Sequence, residues 1–355
     1  LGTAGVFQQN YAGGTSFDAL LAKFTPGGTR TWCTYYGGTD YDASSGITFE
    51  SGTNDIYISG LTASTNLPLL PGAFQPANAG GANYNALIAK FNSAGTTRIW
   101  DTYYGGASGT LARGITTDNL NNVIFTGYTS SGLPISAGSF QFAYGGGIKD
   151  AYLVKFNSTG TTRAWATYIG GNQTEYGGSS VVTDCDNNIY TFGETSSLNF
   201  PITTSCAYQT SYGGNTDHFF GKFSPAGARI FLSYLGGAMT EASGSGGLLS
   251  LSKGQLFMTG MTNGGPYPTT PGAYQTAYGG GSYDFILAAM CPDRCGTAPT
   301  INFSANLTNI PCGTAGITSF TPTITTCDTT GVLWQWTFTG GTPSSSTDRY
   351  PNNIT

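Results

Sequence analysis

The stretch "NALIAKFNSAGTTRIWDTYYGG", residues 85 to 106, is one of four copies of the same phrase. "DALLAKFTPGGTRTWCTYYGG" stands at 18 to 38, "DAYLVKFNSTGTTRAWATYIGG" at 150 to 171 and "DHFFGKFSPAGARIFLSYLGG" at 217 to 237. The hydroxyl residue opening each "TYYGG"-like end falls at Thr34, Thr102, Thr167 and Ser233, giving steps of 68, 65 and 66 residues. A fixed period of this size constrains the fold more than any other feature, because each copy must be one supersecondary unit stacked on its neighbours. Two further elements recur in the same period. One is "DIYISG" (55 to 60), "NVIFTG", "NIYTFG" and "QLFMTG"; the other is "GITF" (46 to 49), "GITT", "SVVT" and "GLLS". Each period therefore holds four short strands bounded by Gly, Asn, Asp and Ser turns. Four antiparallel strands per radial repeat is the plan of a β-propeller blade, whereas the rungs of a β-solenoid are shorter.

Composition agrees with an all-β chain. Only 9% of the residues are charged, against roughly 25% in an average soluble protein. Glycine numbers 54, and Tyr and Phe are abundant at 22 and 21. No segment shows helical apolar spacing over a dozen residues. A formal charge of -5 argues against nucleic acid, which requires basic patches for its phosphates. No apolar run is long enough to span a membrane as a helix, and no signal peptide is seen.

Read from first to fourth, the strands of a blade are "GITF", "DIYISG", "NALIAKF" and "RIWDTYYGG". The chain then opens on the third and fourth strands of one blade, runs through three whole blades and ends a further blade after "DFILAAM" at 284 to 290. This phasing predicts a β-propeller over 1–290 with about five blades represented and more repeats ahead of residue 1. A linker, "CPDRCG", covers 291–296, and a separate domain covers 297–355.

The wording of the blades resembles a known family. "NSAGTTRIWDTYYGG", "GITTDNLNNVIFTGYTSS" and "PGAYQTAYGGGSYDFILAAM" are similar to the bacterial seven-bladed β-propeller (SBBP) repeat, as are the loops "NFPITTSCAYQ" (199 to 209) and "YPTTPGAYQ" (267 to 275). The resemblance spans about residues 1 to 290. It implies a large exported surface protein, with no shared catalytic set to carry over. The tail "VLWQWTFTGGTPSSSTDRYPNNIT" resembles the PKD domain, an immunoglobulin-like sandwich, with Trp336, Phe338, Gly340 and Gly341 in its hallmark strand and turn. The expected domain is longer than 297–355, so the last strands of the sandwich are not expected within it.

The recurring polar residues invite a functional reading that repetition argues against. Lys23, Lys90, Lys155 and Lys222, with Arg30, Arg98, Arg163 and Arg229, recur once per blade. A ring of charge for an anionic glycan is conceivable, but a requirement of the blade itself explains the symmetry better: snorkelling stems, or pairing with a neighbouring blade's carboxylate. Trp32, Trp100 and Trp165, replaced by Phe231 in the fourth copy, read as plugs between sheets. The paired glycines 37/38, 105/106, 170/171 and 236/237 read as tight turns.

Catalytic candidates are few. Asp40, Asp42, Glu175 and Glu241 fall in corresponding loops and could converge as a glycosidase pair. His218, the single histidine, reads as a substituted strand position. "DCDNN" at 184 to 188 faintly imitates a calcium loop. No catalytic, cofactor-binding or metal-binding residue is assigned, and no cofactor is expected. Among seven cysteines, the candidate disulfides join Cys312 with Cys327, Cys185 with Cys206, and Cys291 with Cys295, leaving Cys33 a buried thiol.

The expected function is that of a non-catalytic surface or structural protein, secreted to the cell exterior, of the adhesin, filament or scaffold type. Relatives of this kind occur in gliding bacteria with type 9 secretion. The expected partners are other surface proteins, copies of itself or glycans, and not nucleic acid. The rival is a carbohydrate-binding or polysaccharide-degrading propeller in which the PKD-like module is a spacer. An enzyme needs an acid cluster private to one blade; a scaffold does not.

Overall fold

The structure is a computed structural model of the 355-residue chain. It describes residues 2–13, 16–81, 83–243, 247–252 and 254–290, and in the tail the short strands between 301 and 346. The chain divides into two compact units, Leu1–Leu251 with Leu256–Met290, and Ser252–Gln255 with Cys291–Thr355.

The first unit is built of antiparallel meanders and is propeller-like. Strands β1 (Ala19–Phe24) and β2 (Arg30–Tyr36) form a hairpin. Three complete blades follow, each a sheet ordered as its chain runs. The first contains β3 (Asp42–Phe49), β4 (Ile56–Thr62), β5 (Asn85–Phe91) and β6 (Arg98–Tyr104). The second contains β7 (Thr110–Thr117), β8 (Val123–Thr129), β9 (Asp150–Phe156) and β10 (Arg163–Ile169). The third contains β11 (Glu175–Thr183), β12 (Ile189–Thr195), β13 (Asp217–Phe223) and β14 (Arg229–Leu235). A further sheet holds β15 (Glu241–Ala242), β16 (Leu249–Ser252), β17 (Gln255–Thr262) and β18 (Asp284–Met290), with β17 between β15 and β18. This is the strand order expected from the repeat.

The continuously apolar third strands sit where their pattern requires. Every residue of β5, β9 and β13 is buried, because a neighbouring blade covers each face of the sheet. The apolar core accordingly forms three clusters, each straddling two successive blades. First strands approach each other closely across the junctions. A Cβ on Gly46 would stand 2.5 Å from the Arg113 carbonyl oxygen, and one on Gly114 2.9 Å from the Ser180 backbone. Thr117 Oγ1 donates to the Phe49 carbonyl at 3.2 Å, and Thr183 Oγ1 to the Thr117 carbonyl at 2.9 Å.

The long connection between second and third strands folds back along the outer edge of the fourth. Gln75 N–H donates to Thr102 Oγ1 at 2.9 Å, Tyr103 N–H donates to the Gln75 carbonyl, and Gly105 N–H donates to Gln75 Oε1 at 3.0 Å. Gln8, Gln141 and Gln209 repeat the arrangement against Thr34, Thr167 and Ser233. The glutamine of "GAFQ" thus seals a sheet edge that would otherwise offer unpaired backbone to other chains.

In the second unit, β19 (Ile301–Ala305) pairs antiparallel with β20 (Phe320–Ile324), and β21 (Trp336–Thr337) with β22 (Ser345–Ser346). The remainder of the expected immunoglobulin-like sandwich, including Phe338, Gly340, Gly341, Cys312 and Cys327, lies outside the described residues, as do Cys291 and Cys295.

Candidate functional site

Within the three complete blades the repeated lysines are absorbed by the fold, whereas Lys23 and Arg30 of the opening hairpin are exposed. Lys90, Lys155 and Lys222 each pair with an acid in the first hairpin of their own blade, not of a neighbouring one as the sequence reading allowed. Lys90 Nζ lies 2.8 Å from Glu50 and 3.5 Å from Asp55; Lys155 lies 2.8 Å from Asp118, and Lys222 3.6 Å from Asp184. All three lysines are buried, and two of them also lie over tyrosine rings, Tyr57 and Tyr190. Asp184 therefore belongs to this set rather than to a calcium loop. It caps its own turn, accepting from Asp186 N–H, Asn188 N–H and Asn188 Nδ2, while Asn187 takes the left-handed conformation (φ 63°).

The arginines and tryptophans tie one blade to the next. Arg163 donates to the Pro134 and Ile135 carbonyls of its own blade and lies over Phe74 of the preceding one. Arg229 does the same with Pro201, Ile202 and Phe140. Trp100 and Trp165 rest on Gly160 and Gly227, the left-handed glycines of the following blade's outer hairpin. Their indole N–H groups donate to the Ser158 and Pro225 carbonyls at 3.1 and 3.0 Å.

The first glycine of three of the four "GG" pairs corrects the tight-turn reading; the exception, Gly105, has φ 152° and faces Thr110 and Asn85. Gly37, Gly170 and Gly236 do not have positive φ; they are glycine because carboxylates occupy the space of a side chain. A Cβ on Gly37 would stand 2.8 Å from both Asp18 Oδ1 and Asp42 Oδ2. One on Gly236 would stand 2.7 Å from Asp217 Oδ1 and 2.6 Å from Glu241 Oε2, and one on Gly170 2.7 Å from Asp150 Oδ1. The acids Asp42, Glu175 and Glu241 do not converge on one another. Each sits at the start of a first strand, buried beside a partner the sequence reading missed: Asp18, Asp150 or Asp217, at the start of the previous blade's third strand. The signal was in the repeat, as an aspartate opening "DALLAKF" in four of its five copies. Asp40 is exposed, next to this row.

The non-repeated residues gather on the same face. Phe17, Tyr41 and Tyr84 form a row of edge-to-face rings with centroids 5.6 and 5.7 Å apart. Further along, Tyr128 and Tyr176 meet at 5.6 Å. Lys149 Nζ lies 4.3 Å from the Tyr128 ring and 4.9 Å from that of Tyr176, with the Arg113 guanidinium 5.1 Å from Tyr128. Phe17, Tyr84 and Tyr176 are exposed. All precede or open a first or third strand, or close a second, so the meander brings them to one end of the sheets.

His218 is fully buried and stacks on Phe192 with centroids 5.0 Å apart. Burial pushes its pKa down to about 4, so the folded chain declines a proton that the unfolded chain takes up below the ordinary value of 6.5. That group's contribution to stability falls as the pH drops from about 6.5 towards 4. His218→Phe is expected to match the wild type in thermal denaturation at pH 8 and to exceed it at pH 5.

Cys33 is a buried thiol. Cys185 is disulfide-bonded but Cys206 is not, which corrects the expected pairing of these two. The physical reason is the width of the blade. Cys185 lies in the turn between β11 and β12, whereas Cys206 lies in the connection along the outer edge of β14, where Thr203 N–H donates to the Leu232 carbonyl. About three strand spacings of ~4.8 Å separate the two edges, beyond the ~7 Å Cα limit of a disulfide. Among the described residues no group of three or more His, Cys, Asp or Glu is arranged to hold a metal ion, and no helix is long and apolar enough to cross a membrane.

Comparison with known proteins finds no match among curated sequences. A solved structure described as a protein of unknown function from Dyadobacter fermentans DSM 18053 aligns over 86% of this chain and 79% of its own, with 9% identity and a TM-score of 0.40; so distant a likeness carries no argument. Residues 164–201, from β10 through β12, match the SBBP family model, described as "Beta-propeller repeat". The segment spans a blade junction with its acid Glu175 and its glycine pair, and there the chain carries the SBBP β-propeller repeat.

Proposed function

We propose that the protein is a non-catalytic component of the cell exterior, acting by contact with glycans or other surface proteins as an adhesin or scaffold, with its PKD-like tail as a spacer. One observation carries this reading: within the complete blades the repeated lysines are consumed by the fold, while the aromatic residues Phe17, Tyr41, Tyr84 and Tyr176, at positions that vary between the copies, assemble, partly exposed, on one face. Rings presented in a row suit stacking against sugar or the apolar part of a protein partner. The disulfide at Cys185 supports an oxidising, extracytoplasmic location. The test is a glycan array and polysaccharide co-sedimentation with the whole chain. Combined Phe17→Ala, Tyr84→Ala and Tyr176→Ala substitution is expected to weaken binding by roughly 0.5–1.5 kcal/mol per ring with an unchanged melting temperature. Unchanged binding, or turnover of a polysaccharide, would overturn the proposal.

A further inference from the structure

The three acid pairs at the blade junctions have no role in the aromatic face. The pairs are Asp18 with Asp42, Asp150 with Glu175, and Asp217 with Glu241. In the first, Asp18 Oδ1 and Asp42 Oδ2 lie the same 2.8 Å from one point beside Gly37, and in the third, Asp217 Oδ1 and Glu241 Oε2 converge equally beside Gly236. Many of the carboxyl oxygens are occupied by donors, the converging Asp42 Oδ2 and both oxygens of Asp217 and Glu241 among them. Gln8 Nε2 and Ala12 N–H donate to Asp18 Oδ2, and Gly38 N–H and Ser64 Oγ to Asp42 Oδ2. Gly145 N–H donates to Asp150 Oδ2, and Thr195 Oγ1 and Gly171 N–H serve Glu175. What is left is an unpartnered, buried oxygen on Asp18, on Asp42 and on Asp150, with Asp42, Asp150, Glu175, Asp217 and Glu241 themselves fully buried.

Among the described residues, the groups facing these pairs bring no positive charge. They are tyrosines: Tyr11 and Tyr103 at the first, Tyr144 and Tyr168 at the second, and Tyr212, Tyr234 and Tyr267 at the third. Lys149, next to Asp150, turns its amino group to the rings of Tyr128 and Tyr176 instead. His218, next to Asp217, takes the opposite side of its strand, against Phe192. Burying two carboxylates side by side with no cation beside them disfavours the ionisation of both.

The fourth junction is a natural control. There both acids are replaced together, by Asn85 and Thr110. Asn85 Nδ2 donates to the Gly106 carbonyl at 2.9 Å, its Oδ1 accepts from Gln75 Nε2 and Ala79 N–H, and Thr110 shares a hydroxyl hydrogen bond with Thr129. The amide and hydroxyl bring the hydrogens that an ionised acid pair lacks. Joint replacement marks the two positions as one unit.

We propose that each acid-paired junction holds a proton shared between its two carboxyl groups, so that the blades lock together in mildly acidic surroundings and loosen as the pH rises to neutrality. The direction of titration agrees. Burial first, then the charge of Asp150, pushes Glu175 up to about 7; burial raises Asp150 to about 7 and Asp217 to about 6, and burial with Asp217 raises Glu241 to about 7. Asp18 and Asp42 are also raised, chiefly by burial. In the unfolded chain these groups ionise near their ordinary values of 3.8 and 4.5. Folding therefore takes up protons between about pH 4.5 and 7, and stability falls as the pH rises through that window. Each proton held changes the folding equilibrium constant about tenfold per pH unit. His218 acts in the opposite sense, with one proton against three.

The test is chemical denaturation of the whole chain from pH 5 to 8.5 in the His218→Phe background. Stability is expected to decline with rising pH, and Glu175→Gln with Glu241→Gln, which keep size and one of the two hydrogen bonds each glutamate accepts from a hydroxyl and a backbone N–H, are expected to flatten the decline by about tenfold per pH unit for each junction changed. Should either variant fail to fold, refolding of the unsubstituted chain in weak buffer at pH 6.5 provides the same reading, with net proton uptake expected. Stability that is constant or rising across the range, an undiminished slope in the variants, or proton release on refolding would each overturn the proposal.

Discussion

Trp100→Ala is expected to lower stability by about 3–5 kcal/mol, as read by urea denaturation. The indole is buried at the outer hairpin, directly across the β5–β6 pair from Lys90. It packs on Tyr57 at 5.9 Å and donates to the Ser158 carbonyl of the next blade. Its face is so close to Gly160 that a Cβ there would come within 2.2 Å of the ring, and Gly160 has φ 71° besides. Removing the ring leaves a cavity between two sheets that cannot collapse towards each other, because the first strands already touch. Trp100→Phe is expected to cost far less, about 1 kcal/mol for the lost hydrogen bond. Phe231 already fills that position in the fourth copy, buried against Phe220.

Asp118→Asn should cost a similar amount, about 3–5 kcal/mol, by stranding the buried Lys155 ammonium. The amide preserves the turn but removes the charge 2.8 Å from Lys155. Burial alone would raise the Asp118 pKa, yet the hydrogen bonds from Lys155 and Asn122 and the lysine's charge hold it below 3.8. A depressed carboxylate pKa contributes stability above the unfolded value and loses it as the pH falls through the folded one. The wild type should therefore lose this contribution only below about pH 4, whereas Asp118→Asn lacks it at every pH. Adding Lys155→Met should restore most of the loss, because an uncharged stem needs no partner. A double variant no more stable than Asp118→Asn would show that the turn, not the ion pair, carries the effect. Glu50 pairs with Lys90 in the same way and is lowered in the same direction.

How far the sequence could be read depended on the range of the forces involved. Strand order within a blade followed from the period, because turn residues such as Asn121 and Asn187, both in the left-handed conformation, act on their immediate neighbours. The burial of "ALIA", "YLVK" and "FFGK" followed from their unbroken apolar character. The lysines were read correctly as belonging to the fold but attached to the wrong acids, since charge pairing depends on which side of a strand each residue faces. The mistaken Cys185–Cys206 pair came from counting residues within one repeat while the two positions occupy opposite edges of a sheet.

Periodicity alone determined the blade plan: four strands, sealed by a recurring glutamine and separated by a pair of glycines. Only the tertiary structure decided what the glycines are for. At Gly37 and Gly236 the first glycine yields its side-chain space to carboxylates from two successive blades, and the second glycine of a pair packs on the turn of the next blade, where Ser64 and Asn66 approach Gly38 and Ser197 and Asn199 approach Gly171. That distinction is invisible in one dimension. A turn is written in adjacent residues, whereas the space beside Gly37 is shared by Asp18 and Asp42, which meet only when one sheet is laid on another.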